Sequence, residues 1–343
     1  DRFIPIDNLT SLNDLTIDFE IFEEHNKGPK NIERSGWFKK SNITKLNAKV
    51  SGSLKFFKNL GQLKYLDLSF GYNSESNTDF KPLESLENLE ELKIDMTNFK
   101  GLTSIDFIKN NKKLKKLSII EERYSWVDGG PGIENLDVLK NCSSLESLDY
   151  NHLKGTDLKG LLSCKKLKTL SLSFIEKDQE SDKTGFDFSI LKNCNSLESL
   201  DISKLSNDSK GLLSCEKLKK LSLSFARQHH DSDKTGFDFS IIKNCNSLES
   251  LNISNLSQDS KGLLSCKNLK KLSLNFAYQH DDSDKTGFDF SILKNCNSLE
   301  SLDISGIESY NLEIKIIDFN SLSGLKNLKN IKIGGVNLNN SKS

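Results

Sequence analysis

No apolar run in this chain approaches the roughly 20 residues that a helix needs to cross a bilayer, and mean hydropathy is −0.49. Membrane insertion is therefore not expected for these residues. Net charge is missing too: 48 Lys and Arg balance 48 Asp and Glu, so no overall field would draw in nucleic acid or an anionic surface. Catalytic signatures are absent: there is no phosphate-cradling G-x-x-x-x-G-K-[ST], no H-E-x-x-H and no G-x-S-x-G, and Gly129-Gly130-Pro131-Gly132 reads as a turn. The five histidines have no nucleophile at a shared phase. An enzyme is not expected, and no cofactor. Residue 1 is Asp rather than Met, so the missing leader peptide carries no information.

What the chain has instead is recurrence. A unit of 51 residues repeats almost verbatim three times, with Phe186, Phe237 and Phe288 opening copies of GFDFSI(L/I)KNCNSLES. Each unit splits in two. The phrase L-x-x-L-x-[LI] begins at Leu167, Leu197, Leu218, Leu248, Leu269 and Leu299, and outside the copies at Leu12, Ile43 (degenerate, ending in Ala48), Leu63, Leu89, Leu114, Leu145 and Leu328. That makes 13 phrases over residues 12 to 333, at spacings of 20 to 31. Residues 1–343 are accordingly read as one repeat domain, with the near-identical double repeats at 142–304.

Counting back from each first leucine, apolar residues recur at minus three and minus six, as Cys164 and Leu161 do before Leu167. This is a helical period. At minus ten stands Asp79, Asp157, Asp187, Asp208, Asp238, Asp259, Asp289 or Asp318, with Ser53 and Ser104 in two more phrases. Such residues cap a first helical turn, for about 0.5–2 kcal/mol each. Every repeat reads as cap, short helix, short strand, turn.

The pattern resembles the leucine-rich repeat, and the resemblance covers essentially the whole chain. It implies an α/β fold: a curved solenoid of about 13 repeats, with a parallel β-sheet on the concave face and short helices on the convex face. One departure stands out. The family usually carries Asn or Cys three residues after the last leucine of the phrase, where this chain has Ile175, Leu205, Ala226, Leu256, Ala277 and Ile307. Turn geometry and curvature are therefore open.

The seven cysteines, Cys142, Cys164, Cys194, Cys215, Cys245, Cys266 and Cys296, all fall at minus three, where Leu9, Leu60, Leu86 and Leu325 stand elsewhere. A free cysteine packs like a small hydrophobe, so a buried row of thiols is expected. Their odd number, and the absence of any cysteine before 142 or after 296, favour a reducing, cytoplasmic setting. Sequons such as those at Asn8, Asn42, Asn207 and Asn255 occur about as often as chance gives.

Two surfaces are candidates for function. On the concave face, the second residue of successive phrases alternates in charge: Glu146, Lys168, Glu198, Lys219, Glu249, Lys270, Glu300. As lateral neighbours in a parallel sheet, each could bridge to both sides. Asp149, Asp201, Asn252 and Asp303 join at the fifth position. The ladder either keeps the stack soluble and in register, or docks a polar protein surface. Phe174, Phe225 and Phe276, with Phe70 and Phe19 at the equivalent place, share a face with the phrase leucines and read as core.

The second candidate is a rim of long loops at 175–187, 226–238 and 277–289, preceded by those at 71–79 and 124–135. Tyr124, Trp126, Asp182, Arg227, His229, His230, Asp233, Tyr278, His280 and Asp284 are the residues through which such a rim would bind a protein. Asp231 to Gly236 and Asp282 to Gly287 match the first half of a calcium loop, but Ile242 and Leu293 stand where the closing glutamate belongs. No metal is expected.

The reading that follows is a non-enzymatic scaffold or adaptor for an unidentified protein partner, with no nucleic acid and no membrane insertion. Two alternatives stay open. One is an extracellular adhesion or recognition receptor. The other is a structural component that associates with itself through its ends, since Phe3, Ile6 and Leu9 open the first repeat without a polar cap.

Overall fold

The computed structural model describes residues 11–18, 42–71, 78–97, 99, 101–121, 133–175, 186–206, 209–226, 237–256, 262, 264, 266–276, 290–306 and 320–334. The chain divides into two compact units, Asp1–Leu167 and Lys168–Ser343. In the first, strands β1 (Asp14–Asp18), β2 (Lys45–Val50), β3 (Tyr65–Phe70), β4 (Glu91–Asp95), β5 (Lys116–Ile120) and β7 (Ser147–Asp157) pair in that order, all parallel. A short β6 (Ile133–Asn135), which belongs to no leucine phrase, pairs with the far half of β7. In the second unit β8 (Thr169–Phe174), β9 (Ser199–Leu205), β10 (Lys220–Phe225), β11 (Ser250–Leu256), β12 (Lys271–Phe276), β13 (Ser301–Gly306) and β14 (Asn330–Gly334) pair in sequence, again parallel.

Register follows the phrase. Leu66 lies opposite Leu92 and Leu92 opposite Leu117, while Leu221 lies opposite Leu251 and Leu251 opposite Leu272. The degenerate phrase at Ile43 is a full strand, with Ala48 opposite Leu68. From the phrase at Ile43 to that at Leu299 the residues at positions one, four and six are buried, because alternation sends four and six to one face of the strand; in the first and last phrases Leu12, Leu15, Ile17 and Leu328 are half-buried and Ile331 is exposed. Each unit is a leucine-rich-repeat solenoid stacked on this continuous apolar filling.

The helical segments are 3-10 turns of three to five residues, such as Lys55–Asn59, Lys81–Ser85, Asp137–Asn141 and Phe188–Leu191. The apolar spacing of three is the 3-10 period, three residues per turn, rather than the α period of 3.6. Several of the minus-ten residues cap as expected, while Asp208, Asp259, Asp289 and Asp318 lie outside the described residues. Asp187 Oδ1 accepts from the Ser189 N–H at 2.9 Å, Asp238 from Ser240 at 2.9 Å, Asp79 from Lys81 at 2.9 Å and Ser104 Oγ from Asp106 at 3.0 Å. Asn135, which fills the same place ahead of Leu145, does likewise for Asp137 at 3.3 Å.

One described repeat departs from the expected helix. Ahead of β10 the chain is extended, and Lys210 bridges to Asp187, exchanging bonds with the Phe186 carbonyl and the Phe188 N–H, both at 2.8 Å. The next residue, Gly211, has φ +83°, and a Cβ there would lie 2.2 Å from Asp187 Oδ1. Gly262 repeats this arrangement against Asp238 with φ +89°. A left-handed glycine is incompatible with a helical turn, so the described residues ahead of β10 carry no helical segment.

Phe70, Phe225 and Phe276 are buried and Phe174 is half-buried, so these members of the phenylalanine row are core, while Phe19 lies outside the described residues. Its rings meet those beyond the long loops: Phe225 is 5.5 Å from Phe237 and Phe174 is 6.1 Å from Phe186. In the first unit Phe70 stacks on Phe99 at 4.6 Å, and Phe80 on Phe107 at 5.2 Å. Leu205 and Leu256 fill the place of the absent asparagine, reached by a bulge in which Lys204 and Asn255 take φ of 60° and 56°. Asn255 Nδ2 then donates to the Phe225 carbonyl at 2.9 Å.

All seven cysteines are free thiols and fully buried. Several reach a carbonyl of the preceding repeat: Cys245 Sγ lies 3.5 Å from the Leu213 oxygen and Cys296 Sγ 3.6 Å from that of Leu264. At the same position Asn111, also buried, donates to the Leu86 carbonyl at 2.6 Å. The minus-three site therefore offers an acceptor as well as space, a reason for cysteine over leucine. Burial raises the thiols to about 11 for Cys194 and about 12 for Cys266. They should resist alkylation at neutral pH until the chain unfolds, making labelling a direct reading of unfolding. Gly160, whose added Cβ would meet the Leu136 oxygen at 2.0 Å, supplies a test. Gly160→Ala should destabilise by about 2–4 kcal/mol and expose Cys142 and Cys164 to reagent at correspondingly lower denaturant; unchanged protection would contradict this packing.

Candidate interaction surfaces

The ladder of second-position charges stands immediately ahead of the strands, since Glu146, Lys168, Glu198, Lys219, Glu249, Lys270 and Glu300 each precede a strand's first residue. Their backbone explains the alignment. The Glu198 carbonyl accepts the N–H groups of both Lys219 and Lys220, and the Lys219 carbonyl those of Glu249 and Ser250. The row thus lines the edge where strands begin, the leading edge, rather than the open face. Bridging is one-directional: Lys219 Nζ meets Glu198 at 2.9 Å, Lys270 meets Glu249 at 3.1 Å and Lys329 meets Glu300 at 2.9 Å. Each lysine reaches back to the preceding repeat, and Glu249 touches Lys219 only through longer-range attraction. Lys115 and Glu90 continue the pattern in the first unit at 2.6 Å.

The open face carries positions three, five and seven, which alternate with the buried leucines. In the first unit it is charged and cross-linked. Lys45 bonds Asp14 at 2.8 Å, Lys93 bonds Asp67 at 3.2 Å and Lys116 bonds Glu91 at 2.8 Å, while Lys45 also lies 5.6 Å above the Tyr65 ring. Asp149 closes this series opposite Ser118.

The same positions in the second unit are mostly serine. Ser171, Ser222 and Ser273 alternate with Asp201, Asn252 and Asp303 along position five, and Ser173, Ser203, Ser224 and Ser254 line position seven. Asp201 and Asn252 are exposed and Asp303 is half-buried, its Oδ2 bonded to Lys332 at 3.4 Å. No aromatic or aliphatic side chain stands on the described face of β8–β13. Positions three and seven were not singled out as sites from the sequence, although counting alternately from the buried Leu170 and Leu172 puts them beside position five.

A buried polar pair was also missed. Glu121 has a fully buried side chain, and its Oε2 lies 3.5 Å from Nε2 of the largely buried His152. The Glu121 N–H donates to Asn151 Oδ1 at 2.6 Å, and the Tyr150 hydroxyl to the His152 carbonyl at 2.9 Å. Both residues occupy the position that phenylalanine holds in Phe70, Phe174 and Phe225, so the signal was a break in that row at two successive repeats.

The proposed rim residues Tyr124, Trp126, Asp182, Arg227, His229, His230, Asp233, Tyr278, His280 and Asp284, both calcium half-motifs and the chain ends lie outside the described residues. Among the described residues no cluster of three or more His, Cys, Asp or Glu could hold a metal ion, and no helix is long and apolar enough to cross a membrane.

The leading-edge pairs set a pH dependence. The hydrogen bond from Lys219 holds Glu198 below the ordinary 4.5, and Lys329 does the same for Glu300. A depressed carboxylate contributes stability that is present above its unfolded value and is lost as pH falls through the folded one. Carbon-detected titration should give Glu198 and Glu300 midpoints below 4.5, with Glu198 returning to the ordinary value in Lys219→Ala. Unshifted midpoints would dissolve the ladder.

No family model and no curated protein sequence matches this chain. Solved structures do match in shape. An internalin from Listeria monocytogenes aligns with 85% of this chain and 74% of its own, at 17% identity and a TM-score of 0.46. TLR13 in complex with ssRNA aligns with 88% of this chain and 45% of its own, at 16% identity and a TM-score of 0.53. A leucine-rich-repeat protein of Leptospira interrogans covers 97% of this chain at a TM-score of 0.44 and 16% identity. Phased leucines, in-register parallel strands and 3-10 turns behind them give this chain the leucine-rich-repeat fold.

Proposed function

We propose that the chain is a protein-recognition module without a catalytic role, binding its partner through the open face of β8–β13. The observation that carries this is the change in side chains at fixed positions. In β1–β5 positions three and five hold cross-strand ion pairs, such as Lys93 with Asp67 and Lys116 with Glu91. In β8–β13 the same sites hold chiefly short hydroxyls. Covering an ion-paired face means stripping water from charges. Serine hydroxyls both donate and accept, and their small size lets a partner's backbone approach closely. A polar protein surface suits this face better than RNA, because the described face offers neither an aromatic to stack a base nor an arginine.

The reading includes a reducing, cytoplasmic setting, supported by seven buried thiols in succession with no disulfide among them. It prefers this to the adhesion-receptor alternative partly because the Asn255 amide, a potential glycan site, is already donating to the Phe225 carbonyl.

Affinity capture from native extract, followed by mass spectrometry, tests the proposal. The triple variant Ser222→Arg, Ser254→Arg and Ser273→Arg changes only outward-facing residues and should keep the far-UV spectrum and melting behaviour of the parent. It should lose the protein that the parent captures in a nuclease-resistant manner. Equal capture by both would sink this assignment.

A further inference from the structure

The zero net charge conceals a local imbalance on the leading edge of the second unit. Each odd strand contributes one acid there, Glu198, Glu249 or Glu300, and each is held by the lysine of the following strand at 2.9, 3.1 and 2.9 Å. Those pairs consume the acids. Around β10, β12 and β14 one further lysine each remains on this edge, Lys217, Lys267 and Lys326, all exposed and none in an ion pair, while Lys220 and Lys271, at position three, belong to the open face. The one acid among them, Glu216, is also exposed. Because the surplus falls on every second strand, positive charge recurs along this edge at two strand spacings, about 10 Å.

We infer that this comb of lysines binds an extended acidic polypeptide segment, one carrying a carboxylate at every third residue. The inference rests on the reading of the chain as a protein-binding module and names a partner class for a second surface of it. Three features select the occupant. A polyproline II segment has three residues per turn and rises about 3.1 Å per residue, so side chains three apart line up on one side with a repeat of about 9 Å. That repeat matches the comb. The cations are lysines without exception, point charges that read charge and spacing rather than the planar geometry an arginine fork would recognise. No described aromatic accompanies them, which removes the stacking platform that single-stranded nucleic acid uses. Acidic segments are commonly disordered and already extended by self-repulsion, so ordering one along this edge sacrifices little chain freedom.

The test uses the full chain and two labelled peptides of about 18 residues and identical composition, one with glutamate at every third position among Pro and Ser, the other with the same glutamates in one block. Fluorescence anisotropy should show the periodic peptide binding about tenfold tighter than the blocked one, weakening steeply with salt. The variant Lys217→Glu, Lys267→Glu, Lys326→Glu should lose both the affinity and the preference. Reversing Lys58 and Lys140, exposed lysines of the first unit, should change neither. Equal binding of the two peptides would overturn the spacing argument, and tighter binding of an oligodeoxynucleotide of equal charge would replace the peptide by nucleic acid. Light scattering that shows self-association abolished by the same reversal, without peptide binding, would make the occupant a second copy and overturn the proposal. The serine-face triple variant should bind the periodic peptide normally, so failure here is distinguishable from failure of the face assignment.

Discussion

One backbone contact organises the rest. In repeat after repeat the carbonyl at the second position of the phrase accepts two N–H groups from the next: Lys64 from Glu90 and Glu91, Glu90 from Lys115 and Lys116, Lys168 from Glu198 and Ser199, Glu300 from Lys329 and Asn330. Each acceptor fixes where the following strand begins. Once that is set, alternation decides that the leucines at four and six go inward, and that three, five and seven face out. The helical segment needs to be only a few residues long, because it closes a turn whose ends the sheet already holds. A slip of one residue would turn the leucines outward, which is why even the weak phrase at Ile43 keeps register.

Charge follows from the same constraint. With second-position side chains held one strand spacing apart, like signs would repel, and alternation of glutamate and lysine removes that. The pairing is directional, each lysine reaching back, so the second-position acids are used while additional lysines on alternate strands are not. The neutral total gave no hint of this, because it sums over the whole chain. The two-repeat module is thus a physical unit: one member supplies the acid and a bulged strand end, as at Lys204 and Asn255, and the other supplies the lysines and a left-handed glycine, Gly211 or Gly262.

Much of the architecture was legible from the leucines, because burial at a fixed phase is repeated in every unit and noise cancels. The cap residues, the buried cysteines and the inward phenylalanines followed for the same reason. What the sequence concealed depended on features outside the phase. The loss of the 3-10 turn ahead of β10 hinges on Gly211, where a single left-handed residue decides the path. The strand β6 arises from Ile133, with no leucine phrase to announce it. Glu121 and His152 came from different repeats and meet only because both stand in the phenylalanine row. The second-position charges were read as inner-face residues, whereas the doubly accepting carbonyl turns the chain at that point and leaves them on the leading edge.

The central claim is that the open face of β8–β13, mostly short hydroxyls in place of the cross-strand ion pairs of β1–β5, is the surface that meets a partner. Amide hydrogen exchange of the full chain with and without its captured partner measures this most directly. Partner binding should slow exchange along β8–β13 and leave β1–β5 unchanged. Protection confined to β1–β5 would contradict it.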